Sequence, residues 1–96
     1  MTPLFTIQAQ LQQIKPHLSA KYHVHTLGLF GSVVRNDFTS ESDIDIVVDF
    51  SMPIGIEFID LANDLEKLLN RKVDLVSKDG IKPKYFQEIQ SEIIYV

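Results

Sequence analysis

Apolar residues are spaced as on helices in two stretches of the chain. Leucine and isoleucine recur three or four positions apart over residues 4–22 and again over residues 56–69, which predicts one apolar face on each segment. Pro16 interrupts the first segment, so two short helices and one kinked helix are both consistent with it. Asn70 can adopt the left-handed conformation that ends a helix, and it should terminate the second segment.

Three other segments have the pattern of strands. Residues 26–30 are short and apolar, residues 44–50 alternate between apolar and other side chains, and residues 72–77 are rich in valine and leucine. Pro83 suits the first turn of a final helix that extends to about Ser91, and the four residues after Glu92 have the composition of an edge strand.

Helices and strands alternate along the chain, in the order helix, strand, loop, strand, helix, strand, helix, strand. This order predicts a single α/β (α+β) domain over residues 1–96, with helices packed mainly on one face of a small sheet. A hydrophobic content of 45% with 23% charged residues is that of an ordinary globular chain. The absence of cysteine excludes disulfides and thiolate metal sites.

Charge and hydropathy narrow the range of partners. The net charge is −4, whereas a domain that grips nucleic-acid phosphates usually has a basic surface, so direct nucleic-acid binding is not expected. No apolar run approaches membrane-spanning length and the N-terminus lacks a signal-peptide pattern, which predicts a cytoplasmic protein that does not bind membranes. Basic residues between positions 67 and 84 are either solvated side chains or a face for an acidic partner or for nucleotide phosphates.

The segment from Gly31 to Asp45 combines a turn suited to phosphate with paired acids. Glycine lets backbone N–H groups approach an anion closely, and Ser32 adds a hydroxyl donor. Asp43 and Asp45 are two positions apart, so on a strand they project from the same face and can share divalent cations. Two such carboxylates repel each other unless a cation or a shared proton relieves them. The pattern indicates metal-assisted phosphoryl or nucleotidyl transfer.

Two further residues have two interpretations each. Asp74 faces the same cleft if its strand neighbours residues 44–50, and it is otherwise a structural or exposed acid. In the first case three carboxylates could hold two magnesium ions, or two could hold metal while the third takes a proton from the attacking hydroxyl. Arg35 either binds a nucleotide phosphate or pairs with Asp37 or Glu41.

The chain resembles the minimal nucleotidyltransferases, small members of the polymerase-beta superfamily. Leu27–Arg35 and Ser42–Ile46 are similar to their signature, Arg71–Val76 is similar to the strand that carries their third carboxylate, and the similarity covers nearly the whole chain. The resemblance implies the polymerase-beta-like fold, whose sheet is small and mixed. It also implies catalytic acids that bind Mg²⁺, which would be Asp43, Asp45 and Asp74, and contacts to the triphosphate of ATP, which would be Gly31, Ser32 and Arg35.

The resemblance also implies a biological setting. Such single-domain proteins commonly pair, as antitoxins, with a HEPN-domain ribonuclease toxin, and some transfer AMP from ATP to a tyrosine of that toxin. The chain carries no additional acceptor domain, so we expect a protein partner to supply the acceptor. Two alternatives stay open: an antitoxin that neutralises its toxin by binding alone, and a nucleotidyltransferase that acts on RNA or on a small molecule.

Overall fold

The computed structural model describes residues 3–96, which form four α-helices, four strands and two 3₁₀ turns. In chain order these are α1 (Pro3–Tyr22), β1 (Val24–Phe30), α2 (Ser32–Arg35), β2 (Ile44–Phe50), α3 (Glu57–Leu69), β3 (Val73–Ser77), a first 3₁₀ turn (Lys78–Gly80), α4 (Pro83–Ile89), a second 3₁₀ turn (Gln90–Glu92) and β4 (Ile94–Tyr95). Apart from α2, a single helical turn within the segment predicted as a loop, and the two 3₁₀ turns, the elements follow one another as the hydrophobic pattern predicted.

The strands form one mixed sheet in the order β3, β2, β1, β4. Strand β1 pairs antiparallel with both β2 and β4, and β2 pairs parallel with β3. In this register Asp45 lies beside Phe30 on one side and beside Asp74 on the other. The first residues of β2 and β3 therefore meet the last residue of β1 at one end of the sheet.

Most of the core lies on the face of the sheet that α1 and α3 cover. Alternate residues of β2 enter this core and are fully buried, namely Ile44, Ile46 and Val48. The opposite face of the same strand carries Asp45, Val47 and Asp49, and it is covered in part by Ile89 of α4. The sheet thus has helices mainly on one face, as predicted, and a less covered face that leaves space for a site.

Several boundaries differ from the sequence-based expectation. Of the two alternatives for the first segment, the structure has the single helix: α1 runs through Pro16, and its buried residues, from Ile7 to Tyr22, hold both halves against one core. The last α-helix ends at Ile89 rather than near Ser91, and a 3₁₀ turn follows it. Asn70 ends α3 in the left-handed conformation, with φ 53°, which confirms that prediction.

Among residues 3–96, no helix combines the length and hydrophobicity needed to cross a bilayer.

Candidate active site

Gly31 connects β1 to α2 in a conformation that other residues rarely adopt. Its φ is +78°, and a Cβ atom added at this position would lie 2.0 Å from Oδ2 of Asp45. The carbonyl oxygen of Gly31 accepts hydrogen bonds from the N–H groups of Val34 and Arg35, at 3.0 and 3.1 Å, which closes the single turn of α2 around Ser32. Only glycine allows the turn and the Asp45 side chain to be this close.

The structure brings the three acids of the sequence motif to the same end of the sheet. Asp43 lies immediately before β2, and Asp45 is the second residue of that strand. Asp74 is in register with Asp45 on the parallel neighbour β3, so both side chains leave the same face. Asp43 and Asp74 are exposed, whereas Asp45 is half-buried beneath the Gly31 turn. Of the two interpretations of Asp74, the structure therefore supports the one in which it joins the cleft.

The electrostatics of Asp45 reflect this crowding. Burial, the charges of Asp74 and Asp43, and a hydrogen bond with Asp74 together raise the pKa of Asp45 to about 6, while the positive charge of Arg35 acts in the opposite direction. The protonated form is favoured because like charges meet in a partly desolvated place. The site therefore contains more negative charge than the neighbouring protein groups compensate.

Arg35 lies next to the turn and contacts two other acids. Its Nη1 atom is 3.4 Å from Oε1 and 3.5 Å from Oε2 of Glu92, and its Nε atom is 3.9 Å from Oδ2 of Asp37. The same Oε1 of Glu92 accepts a hydrogen bond from the N–H of Gly31 at 3.3 Å. The pairing with Asp37 is one of the contacts that the sequence suggested for Arg35, whereas the contact with Glu92 was not foreseen.

The donor set suits a hard divalent cation, since it consists of carboxylate oxygens on neighbouring strands. Among residues 3–96, however, no group of three or more histidine, aspartate or glutamate side chains is already arranged to hold a metal ion. The placement of Asp43 and Asp74 next to Asp45 favours a cation here, because a positive ion would offset the repulsion that these two acids add to the effect of burial on the pKa of Asp45.

Comparisons with known proteins identify the family and the fold. Residues 12–96 match the family described as Polymerase beta, Nucleotidyltransferase. The chain is 38% identical over 97 residues to the protein adenylyltransferase MntA of Thermococcus cleftensis, and the similarity covers 100% of this chain and 98% of that protein.

Two solved structures are similar in fold over most of the chain. One, assigned to a minimal nucleotidyltransferase, superposes with a TM-score of 0.81 at 30% identity and covers 98% of this chain and 95% of that one. The other contains the tri-AMPylated HEPN toxin of Shewanella oneidensis in complex with MNT antitoxin, and it matches with a TM-score of 0.67 at 25% identity, covering 93% of this chain and 70% of that one.

The fold, the turn and the acids thus define an enzyme of the nucleotidyltransferase class. The chain belongs to the polymerase-beta nucleotidyltransferase family, and it groups with the minimal members of that family, whose named homologues include protein adenylyltransferases.

Proposed function

We propose that this protein is a magnesium-dependent adenylyltransferase that moves AMP from ATP to a tyrosine hydroxyl of a partner HEPN-domain ribonuclease toxin and so acts as its antitoxin. The observation that carries the proposal is the register of Asp45 with Asp74, next to Asp43 and under the Gly31 turn. Similarity to MntA and to an antitoxin bound to an AMPylated HEPN toxin supports the choice of acceptor.

Each part of the site has a role in this reaction. Asp43 and Asp45 would hold Mg²⁺, which supplies positive charge to the triphosphate when bound, and Asp74 would be the third carboxylate that takes the proton. Gly31, through its backbone, and Ser32 would contact the terminal phosphates, and Arg35 would neutralise one of them. Asp74 is exposed on the edge strand β3, where an acceptor from another protein can approach it.

The chemical step is a displacement at phosphorus. The tyrosine oxygen forms a bond to the α-phosphorus of ATP, the bond from that phosphorus to the oxygen bridging to the β-phosphate breaks, and pyrophosphate leaves. The hydroxyl proton passes to the Asp74 carboxylate, which acts as the base. Backbone and side-chain donors at the Gly31 turn stabilise the negative charge that develops on the leaving pyrophosphate.

The test is transfer of label to the partner. Purified protein, a candidate HEPN-domain toxin, Mg²⁺ and ATP labelled at the α-phosphate should give labelled toxin, whereas ATP labelled at the γ-phosphate should not. The double variant Asp43→Ala plus Asp45→Ala should transfer no label. Asp49→Asn is the matched control, because Asp49 lies on the same face of β2 but pairs with His25 at 3.5 Å.

The outcomes separate catalysis from neutralisation by binding. Absence of α-label on the toxin, or equal labelling by the double variant, would reject the proposed reaction. If the double variant nonetheless neutralises the toxin fully, binding alone accounts for protection. Replacement of the labelled tyrosine of the toxin by phenylalanine should abolish labelling at that position.

A further inference from the structure

Asp43 is the last residue of the loop between α2 and β2. Within this loop the Ser42 hydroxyl accepts a hydrogen bond from the N–H of Thr39 at 3.0 Å, and the N–H of Ser42 donates to the carbonyl oxygen of Thr39 at 3.1 Å. Thr39, Ser40 and Glu41 are exposed. These local contacts link residues of the loop to one another, so they do not by themselves fix the loop against the sheet.

Arg71, which lies two residues before β3, connects the loop to the rest of the domain. Its Nη2 atom donates to the carbonyl oxygens of Thr39 and Ser42, at 2.8 and 3.3 Å. Its guanidinium carbon lies 4.3 Å from the centre of the Phe38 ring, and Phe38 packs against the main core. One planar side chain thus holds the loop by two hydrogen bonds and by one stacking contact.

The backbone holds the other side of Asp43. The N–H of Ile44 donates to the carbonyl oxygen of Lys72 at 2.9 Å. The residues directly before and after Asp43 are therefore bonded to the consecutive residues Arg71 and Lys72, which lead into the strand of Asp74. We propose that Arg71 is a positioning residue that sets the Asp43 carboxylate relative to Asp45 and Asp74. The consequence for cation binding rests on the function proposed above.

Arginine and lysine differ in what they can provide here. A lysine at position 71 could donate to one of the two carbonyl oxygens, but it lacks the planar group that bridges both and stacks on Phe38. Arg71→Lys should therefore retain part of the effect, and Arg71→Ala should lose it. Lys72→Ala is a matched control, because the Lys72 side chain is exposed and its bond to Ile44 comes from the backbone, which the substitution keeps.

The first measurement is amide hydrogen exchange of residues 39–43, which reports on the loop without any ligand. Arg71→Ala should accelerate exchange by about ten-fold, Arg71→Lys by less, and Lys72→Ala should leave it unchanged. Thermal unfolding of each variant shows whether the domain stays folded. Unchanged exchange in folded Arg71→Ala protein would overturn the inference.

The second measurement is binding of Mn²⁺, followed by its electron paramagnetic resonance signal. Folded Arg71→Ala protein should bind Mn²⁺ about five- to ten-fold more weakly than wild type, with Arg71→Lys between the two. Equal affinity would overturn the positioning role even if the loop exchanges faster. If wild-type protein binds no Mn²⁺ and transfers no label, the proposed function fails and this role fails with it. Wild-type binding combined with an unaffected Arg71→Ala variant rejects the positioning role alone.

Discussion

Two aspartates of this protein have opposite surroundings. Asp64, on α3, accepts hydrogen bonds from the hydroxyl of Tyr22 at 2.5 Å and from Nζ of Lys21 at 3.3 Å, and the first of these is the main cause of its lowered pKa. Asp45, on β2, lies among other acids, and burial is the main cause of its raised pKa. The folded chain stabilises the charge of one carboxylate and disfavours the charge of the other.

The difference distinguishes an acid that supports the fold from one that is a candidate ligand-binding residue. The Asp64 contacts join α1 to α3 and include the hydroxyl of the buried Tyr22, so they add to the packing of the two helices. Asp45 makes the folded state less stable when it is ionised, because it is partly buried and because neighbouring acids repel it. A ligand that brings positive charge would reduce this cost by offsetting the repulsion between the acids, which is the physical argument for a cation site at Asp45.

Exchanging each acid for its amide gives the largest expected contrast. Asp45→Asn should lower AMP transfer on the order of a thousand-fold, because a charged oxygen is lost from the site, while stability at pH 7 is kept or raised. Asp64→Asn should leave transfer within about two-fold of wild type and lower the free energy of unfolding by about 1 kcal/mol, since the hydrogen bond from Tyr22 weakens. Label transfer and denaturant unfolding measure the two effects.

The distinction between the two acids would be wrong if Asp45→Asn and Asp64→Asn changed label transfer and stability in the same way. An Asp45→Asn protein that is less stable than wild type at pH 7 would show that the Asp45 charge is compensated in the free protein. Tyr22→Phe is the control for Asp64, because it removes the same hydrogen bond from the other side. It should reproduce the stability loss without altering transfer.

The pH dependence of the free energy of unfolding should also distinguish Asp45 from Asp64. The pKa of Asp45 rises on folding from 3.8 to about 6, so the folded state binds its proton more tightly. The resulting stabilisation is complete below pH 3.8 and is lost as the pH rises towards 6. We expect a loss of about 1 kcal/mol, less than an unscreened shift would give, because Asp45 is only half-buried.

Asp64 has the opposite effect on the pH dependence of stability, because its pKa is lowered on folding. It stabilises the folded state at pH values above its unfolded pKa of 3.8. The measurement is therefore the difference in unfolding free energy between wild type and Asp45→Asn at pH 4 and at pH 7, which cancels the other groups. A difference that does not change between these two values would show that Asp45 titrates normally in the folded protein.

Local patterns in the sequence predicted much of this arrangement. The alternation over Ile44–Phe50 identified the strand, its buried face and the opposite face that carries Asp45, because the period of a strand is a local property. The left-handed Asn70 and the tight turn at Gly31 are likewise set by single residues. For Asp74 the sequence left two interpretations, since the choice depends on which strands are neighbours.

Contacts between distant segments were not predictable in this way. Glu92 reaches Gly31 across 61 positions, and Arg71 reaches Ser42 across 29. Glu92 belongs to no local pattern, and the partner of Arg71 does not follow from the segment in which Arg71 lies. Each contact forms only when the C-terminal segment or the residues before β3 pack into place. Arg71 is one of the basic residues between positions 67 and 84. In the structure it donates a hydrogen bond to the loop that carries Asp43.

Glu92 represents a third kind of acid, and it gives the smallest of the expected effects. It contacts the N–H of Gly31 and the guanidinium of Arg35, two donors that the proposed reaction assigns to the triphosphate. One N–H cannot donate fully to Glu92 and to a phosphate oxygen together, and the charge of Glu92 repels the nucleotide. Glu92→Gln should therefore tighten binding of a non-hydrolysable ATP analogue by about three- to five-fold, as removal of a partly exposed ion pair allows.

Calorimetric titration with Mg²⁺ present measures this affinity, and Glu88→Gln is the control. Glu88 is exposed on α4, so its substitution changes the net charge equally without altering the contacts of Gly31 or Arg35. Equal tightening in both variants would attribute the effect to net charge. Weaker binding in Glu92→Gln would mean that Glu92 holds Arg35 in place for the nucleotide, and Glu92 would then belong with Asp64 among the acids that support the structure rather than with those that await a ligand.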